Sequence, residues 1–238
     1  MATFVLVHGA GSTAWDWHLV APLLQAAGHE VVAVDLPSER ADAELSDYVD
    51  TLAHAVGDRR DVIPVGHSLG GFTAPLLCDA VPSIGLVYLT AMIPQPGEPF
   101  EQWWSNSGHS REVISDDEDV TYYNGVPAHL VREARARARG QDGAWLSRPW
   151  PADRHPDVPT MAVACRDDGF FPAPFMRRLA RDRLGIDAVE IAGGHYAALS
   201  NPEGVADALV AFAAGLAASP DARTGRFGDS DAAPSLSS

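Results

Sequence analysis

The chain has 238 residues, enough for one α/β domain with an insertion and a full core, and carries a formal charge of −15. That charge repels polyphosphate and excludes nucleic acid as an expected partner, while no apolar run approaches the roughly 20 residues a membrane span requires. All 17 basic residues are arginine, so chemistry that needs a lysine side chain is excluded.

Residues 3–7, Thr-Phe-Val-Leu-Val, are a continuous apolar run rich in β-branched residues, which predicts a strand covered on both faces of a parallel sheet. The chain enters this strand with no basic leader, so no secretory signal is expected and a cytoplasmic location is. His8-Gly9-Ala10-Gly11-Ser12 follows, a tight turn whose backbone N–H groups can point into a cleft, with Ala10 N–H as candidate oxyanion donor. A dinucleotide site would need a third glycine that this turn lacks. Residues 17–27 have helical spacing and end at Gly28, residues 31–34 predict a second strand, and residues 45–56 an amphipathic helix with Ser46 near its start.

Residues 61–65 predict the strand that feeds Gly66-His67-Ser68-Leu69-Gly70, and residues 71–78 the helix that leaves it. A serine between strand and helix must turn tightly, in a positive-φ conformation, and its flanking chain must pass close to neighbours, which suits Gly66 and Gly70. The serine hydroxyl is thereby raised at the carboxyl end of the sheet. Residues 85–91 predict the next strand. Strands and helices alternate throughout, which gives a mainly parallel sheet with helices on both faces.

At residue 93 the rhythm breaks. Residues 95–158 lack strand alternation, have helical periodicity only at 128–139, and hold Trp103, Trp104, Tyr122, Tyr123, Trp145 and Trp150. An insertion of this length above the carboxyl edge reads as a helical lid, and these aromatics predict a mostly enclosed, apolar substrate pocket for a small to medium ligand. Residues 1–94 and 159–217 then form the core and residues 218–238, without periodicity, a disordered tail. The sheet resumes at residues 160–165 and ends in Asp167-Asp168, both candidate carboxylates. A helix over residues 175–184 presents Arg177, Arg178, Arg181 and Arg183 as a solvated face. Residues 189–191 form a last strand that delivers His195, and residues 202–216 a closing helix. Cys78 and Cys165 lie in apolar runs without disulfide or zinc spacing and read as buried free thiols. The remaining histidines show no metal-ligand spacing, and neither metal nor organic cofactor is expected.

Serine needs a base to become a nucleophile, and the base an orienting acid. Ser68, then Asp167 or Asp168, then His195 supply them in chain order. In that order of Ser, Asp and His the chain resembles the α/β-hydrolase superfamily, in the branch of small esterases that includes plant methyl-ester hydrolases and hydroxynitrile lyases. The residues that carry the resemblance are His8-Gly9-Ala10 with Trp15 and Trp17, Asp35-Leu36-Pro37, Gly66 to Gly71, Asp168 to Pro172, and Gly194-His195 followed by Leu199 to Pro202. It implies the α/β-hydrolase fold, a Ser68–Asp168–His195 triad, since the acid lies four residues before a proline, and an oxyanion hole from the N–H groups of Ala10 and Leu69. It implies hydrolysis of a carboxylic ester or lactone through an acyl-serine. The lyases of this branch carry a threonine where Gly9 stands and a lysine shortly after the histidine, where this chain has Tyr196-Ala197-Ala198. Other chemistry on the same triad, or a silent ligand-binding protein, are the alternatives.

Overall fold

Each core strand is short, apolar and followed by a helix, a rhythm that builds right-handed crossovers over a parallel sheet. In the computed structural model, which describes residues 1–109 and 115–218, six strands lie in the order β2-β1-β3-β4-β5-β6, all parallel. They are β1 (Thr3–Val7), β2 (Glu30–Ala33), β3 (Val62–Ser68), β4 (Leu86–Ala91), β5 (Thr160–Cys165) and β6 (Val189–Ile191). β3 runs three residues past its expected end, because Gly66 still pairs with Val7 of β1 and His67 with Leu89 of β4. The expected tail falls on residues 219–238, outside the described residues.

Alternate strand residues feed two cores. Val5 and Val7 pack with Leu52, Leu77 and Leu179 from α2 (Leu45–Val56), α3 (Ala74–Ala80) and α7 (Ala173–Leu184). Phe4 and Leu6 pack on the other face with Val20 and Leu24 of α1 (Val20–Ala26) and Leu209 of the closing helix, Pro202–Ala218. α2 begins at Leu45, as expected, and is capped by Glu44, whose N–H donates to Asp47 Oδ2 at 2.8 Å in a reciprocal cap across the first turn. The helix expected before Gly28 starts instead as a 3₁₀ turn, Ala14–Trp17, and the one after the elbow as a 3₁₀ turn, Leu69–Phe72.

Between β4 and β5 lie α4 (Phe100–Asn106), α5 (Glu118–Thr121), α6 (Ala128–Arg137) and a 3₁₀ turn, Ala144–Ser147. This segment is bolted to the core by an ion pair that the sequence conceals. Arg183 was expected on a solvated face, yet its side chain is 2% exposed and pairs with Glu98, also 2% exposed, with Arg183 Nη2 donating to Glu98 Oε1 at 2.9 Å. The expected face fails at this position because α7 turns its last turn under the segment, where Arg183 also donates to the Ile93 carbonyl and lies over the Trp103 ring. Cys165 is buried as expected, whereas Cys78 is only half-buried; both thiols are free.

Candidate active site

The elbow is built by close packing. Ser68 has φ 50° and ψ −121°, a conformation that costs a non-glycine residue about 1–3 kcal/mol and persists only where its surroundings enforce it. They do so here. A Cβ on Gly66 would lie 2.8 Å from the Gly70 carbonyl oxygen, and one on Gly71 would lie 1.8 Å from that of Met92. The Met92 N–H in turn donates to the Ser68 carbonyl at 2.9 Å.

Three side chains from the ends of β3, β5 and β6 meet at this point. The Ser68 hydroxyl donates to His195 Nε2 at 3.0 Å, and His195 Nδ1–H donates to Asp168 Oδ2 at 2.9 Å. Asp168 Oδ1 accepts from the N–H groups of Phe170 and Phe171 at 2.7 and 2.8 Å, while Oδ2 also accepts the Thr90 hydroxyl. Ser68, His195 and Asp168 are all buried. Asp167 is turned away: its carboxylate accepts from Gly193 N–H at 3.1 Å and pins the loop that carries His195.

The loop after β1 is held from two sides. His8 Nε2 accepts the Leu36 N–H at 3.0 Å and its Nδ1–H donates to the Gly9 carbonyl at 2.9 Å, while Asp35 Oδ1 accepts the Ala14 N–H at 2.8 Å. Burial pushes the His8 imidazole below its ordinary range, which keeps it the neutral ring these two bonds require. The loop is thereby pressed on the elbow, where a Cβ at Gly9 would lie 2.9 Å from Ser68 Cβ. Ala10 lines the cleft with Ser68, and Leu69 follows Ser68 directly in the chain. His67, fully buried, is pushed down to about 3, by burial first and then by the neighbouring His195; its Nε2–H donates to the His195 carbonyl at 2.9 Å.

Above Ser68 is a cleft of about 310 Å³. Of the six aromatic residues from which the pocket was expected, Tyr122 and Tyr123 do line it. Trp103, Trp104 and Trp145 are not among its lining residues; they pack where the segment meets the core. Trp103 is wholly buried with Nε1–H donating to the Ile93 carbonyl at 3.1 Å, Trp104 packs edge-on to Trp103, and Trp145 is wedged against Tyr48 and Phe72. Trp150, likewise buried, donates to the Phe72 carbonyl at 2.9 Å. The cleft is mainly apolar, as expected, but Glu118 and Arg135 stand in its wall, Arg135 bound to Glu118 and Asp119 at 3.3 and 2.8 Å.

A model described as the alpha/beta hydrolase family matches residues 4–208. The chain belongs to the alpha/beta hydrolase family. Norfluorocurarine synthase 1 of a Strychnos species is 29% identical over 244 residues, covering 84% of this chain and 91% of that protein. Polyneuridine aldehyde esterase of Rauvolfia serpentina is 28% identical over 251 residues, covering 87% of this chain and 94% of that protein. The crystal structure of polyneuridine aldehyde esterase superposes with a TM-score of 0.76 at 22% identity, over 89% of this chain and 99% of that one, a likeness of fold.

On this alpha/beta hydrolase frame several residues at the site were not legible in the sequence. Tyr196 stacks on Tyr123 with centroids 4.8 Å apart and planes 6° apart, and its hydroxyl is 3.0 Å from Ser12 Oγ. Burial raises the Tyr196 phenol, so it stays a neutral hydrogen-bonding group in the cleft wall. Phe170 stands edge-on to the His195 ring at 5.0 Å and helps exclude water from it. Behind Ser12 lies Asp16, 5% exposed, with Oδ2 unpartnered among the described residues and its carboxyl raised to about 6, by burial above all.

Proposed function

We propose that the protein is a serine hydrolase acting on a small to medium carboxylic ester or lactone through an acyl-Ser68 intermediate. One observation carries this reading: the unbroken chain from Ser68 through His195 to Asp168, set on a strained elbow that opens on a cleft. Ser68 Oγ attacks the carbonyl carbon as His195 Nε2 takes its proton, and Asp168 stabilises the imidazolium that results. The tetrahedral oxyanion is held by the Ala10 and Leu69 N–H groups, each worth about 3 kcal/mol of barrier when well placed. His195 then returns the proton to the leaving alcohol, and a water repeats the attack on the acyl-enzyme.

Residues 95–158 act as the lid in this reading, with Tyr122, Tyr123 and the Arg135 ion pair forming the wall over Ser68. The esterase relatives support ester over amide as substrate. Two free thiols suit a reducing, cytoplasmic setting. A second reading, C–C bond or lyase chemistry on the same triad, is favoured by one observation, the relatives named as synthases. Against a lyase of the hydroxynitrile kind stand the absence of lysine and the backbone at Gly9, which leaves no room for a Cβ beside Ser68.

Labelling with a fluorophosphonate tests the nucleophile: the intact protein should be modified at Ser68, and Ser68→Ala and His195→Ala should not. A burst of alcohol equal to the enzyme concentration from an activated ester tests the acyl intermediate. Product formation that survives Ser68→Ala unchanged would refute the hydrolase reading.

A further inference from the structure

We propose that Thr90 is a positioning residue for the site, its hydroxyl holding the Asp168 carboxylate that orients His195. The inference rests on the hydrolase reading for its kinetic consequence, and three separate observations place Thr90 in this role.

The first is register. β3 and β4 pair His67 with Leu89 and then Ser68 with Ala91, so Thr90 is the extra residue of a bulge directly opposite the elbow. Bulges re-aim a side chain out of the regular alternation of a strand. The second is backbone conformation. Thr90 has φ 36°, and for a β-branched residue this is a rare and costly state that a fold retains at sites where geometry matters. The third is the contact itself. The fully buried Thr90 hydroxyl donates to Asp168 Oδ2, the same oxygen that accepts His195 Nδ1–H.

With Thr90 in place the carboxylate accepts four hydrogen bonds, two on each oxygen. The two backbone donors fix Oδ1, and the Thr90 hydroxyl fixes the direction in which Oδ2 faces the imidazole. It also shares the negative charge on Oδ2 that His195 would otherwise draw on alone. Without the hydroxyl, Oδ2 binds the His195 N–H more strongly and is less constrained in orientation, so the imidazolium is over-stabilised before the reaction begins. The titratable groups facing the pair are His67, Cys165, Tyr122 and Tyr196, with Asp167 adjacent but turned away, and replacing Thr90 removes none of them.

The test uses the full-length protein with Thr90→Val, which keeps shape and removes the hydroxyl, and Thr90→Ser, which keeps the hydroxyl. Hydrolysis of p-nitrophenyl acetate should fall about tenfold in kcat for Thr90→Val with KM little changed. The acid limb of its kcat/KM profile should move to higher pH, and Thr90→Ser should restore both rate and limb. If the valine variant does not fold, Thr90→Gly removes the hydroxyl while relieving the positive φ, and should be stable yet slow. Independently of any turnover, the downfield proton resonance of the His195–Asp168 hydrogen bond should move further downfield in Thr90→Val and return in Thr90→Ser. An enzyme silent on esters whose resonance still moves would refute the substrate class and support Thr90. Unchanged rate, limb and resonance in a folded Thr90→Val or Thr90→Gly protein, or a Thr90→Ser variant as impaired as valine, would overturn the proposal.

Discussion

Asp16→Asn should make this protein more stable at neutral pH, and the size of the gain follows from where the carboxyl sits. Asp16 is buried behind Ser12, close enough to Asp35 to feel its charge, and its carboxyl is raised from 3.8 to about 6 in the fold. Between these two values the native state binds a proton that the unfolded chain has released, so stability falls as pH rises through the window. Above pH 6 the fold carries the full cost of a buried charge, a shift of about 2 units or roughly 3 kcal/mol. Asparagine has nearly the same shape and no charge at any pH. The Asn variant should therefore exceed the parent by roughly 1.5 kcal/mol at pH 5 and roughly 3 kcal/mol at pH 8. Urea unfolding at the two pH values, with m unchanged, reads the difference, and thermal unfolding at pH 8 should show a gain of roughly 6–12 °C. A variant no more stable than the parent at pH 8, or a gap that does not widen from pH 5 to pH 8, would refute the claim that Asp16 is held against its preference.

Further outcomes follow from the same geometry. Asp168→Asn should lower kcat by about 10⁴ through the wrong imidazole tautomer, whereas Asp167→Asn, which alters only the bond to Gly193, should cost no more than several-fold; steady-state kinetics on one ester separates them. Glu98→Gln leaves the Arg183 guanidinium buried without its counter-charge and should cost about 3–5 kcal/mol in denaturant unfolding. Gly71→Ala sets a Cβ 1.8 Å from the Met92 carbonyl oxygen and should abolish soluble expression or strip the fluorophosphonate label from any protein that folds. Tyr123→Ala should raise KM for ester probes, while Trp145→Phe, away from the cleft wall, should leave KM within about twofold and register in stability instead.

β1, β3, β4 and β5 were legible because each is a short apolar run between turn residues, and burial on both faces of a parallel sheet demands that pattern. The elbow and His195 were legible because each follows a strand, where this architecture gathers polar groups, whereas the turn after β5 offered Asp167 and Asp168 alike and only the family resemblance selected Asp168. Thr90 was not, since it lies inside an apolar run and only the skipped pairing between β3 and β4 turns it toward Asp168. The tryptophans of residues 95–158 misled for a related reason. A segment without periodicity does not announce which faces are inward, and Trp103 is placed by Arg183, which lies 80 positions along the chain. The same buried contact removed Arg183 from the solvated face to which helical spacing had assigned it.

Strain in this fold is concentrated where the chemistry is. Of the three described non-glycine residues with positive φ, Ser68 and Thr90 sit side by side on β3 and β4, and both point at the His195–Asp168 pair from opposite ends. Each conformation costs about 1–3 kcal/mol in isolation, so something must enforce it. The means are local: the Met92 N–H ties down the Ser68 carbonyl just past the bulge, and Gly71 lets the chain close over Met92 without a side chain between them. One bulge thus sets both Ser68 and the Thr90 hydroxyl that binds Asp168, so a change that relaxed β4 would disturb the two ends of the Ser68–His195–Asp168 chain together.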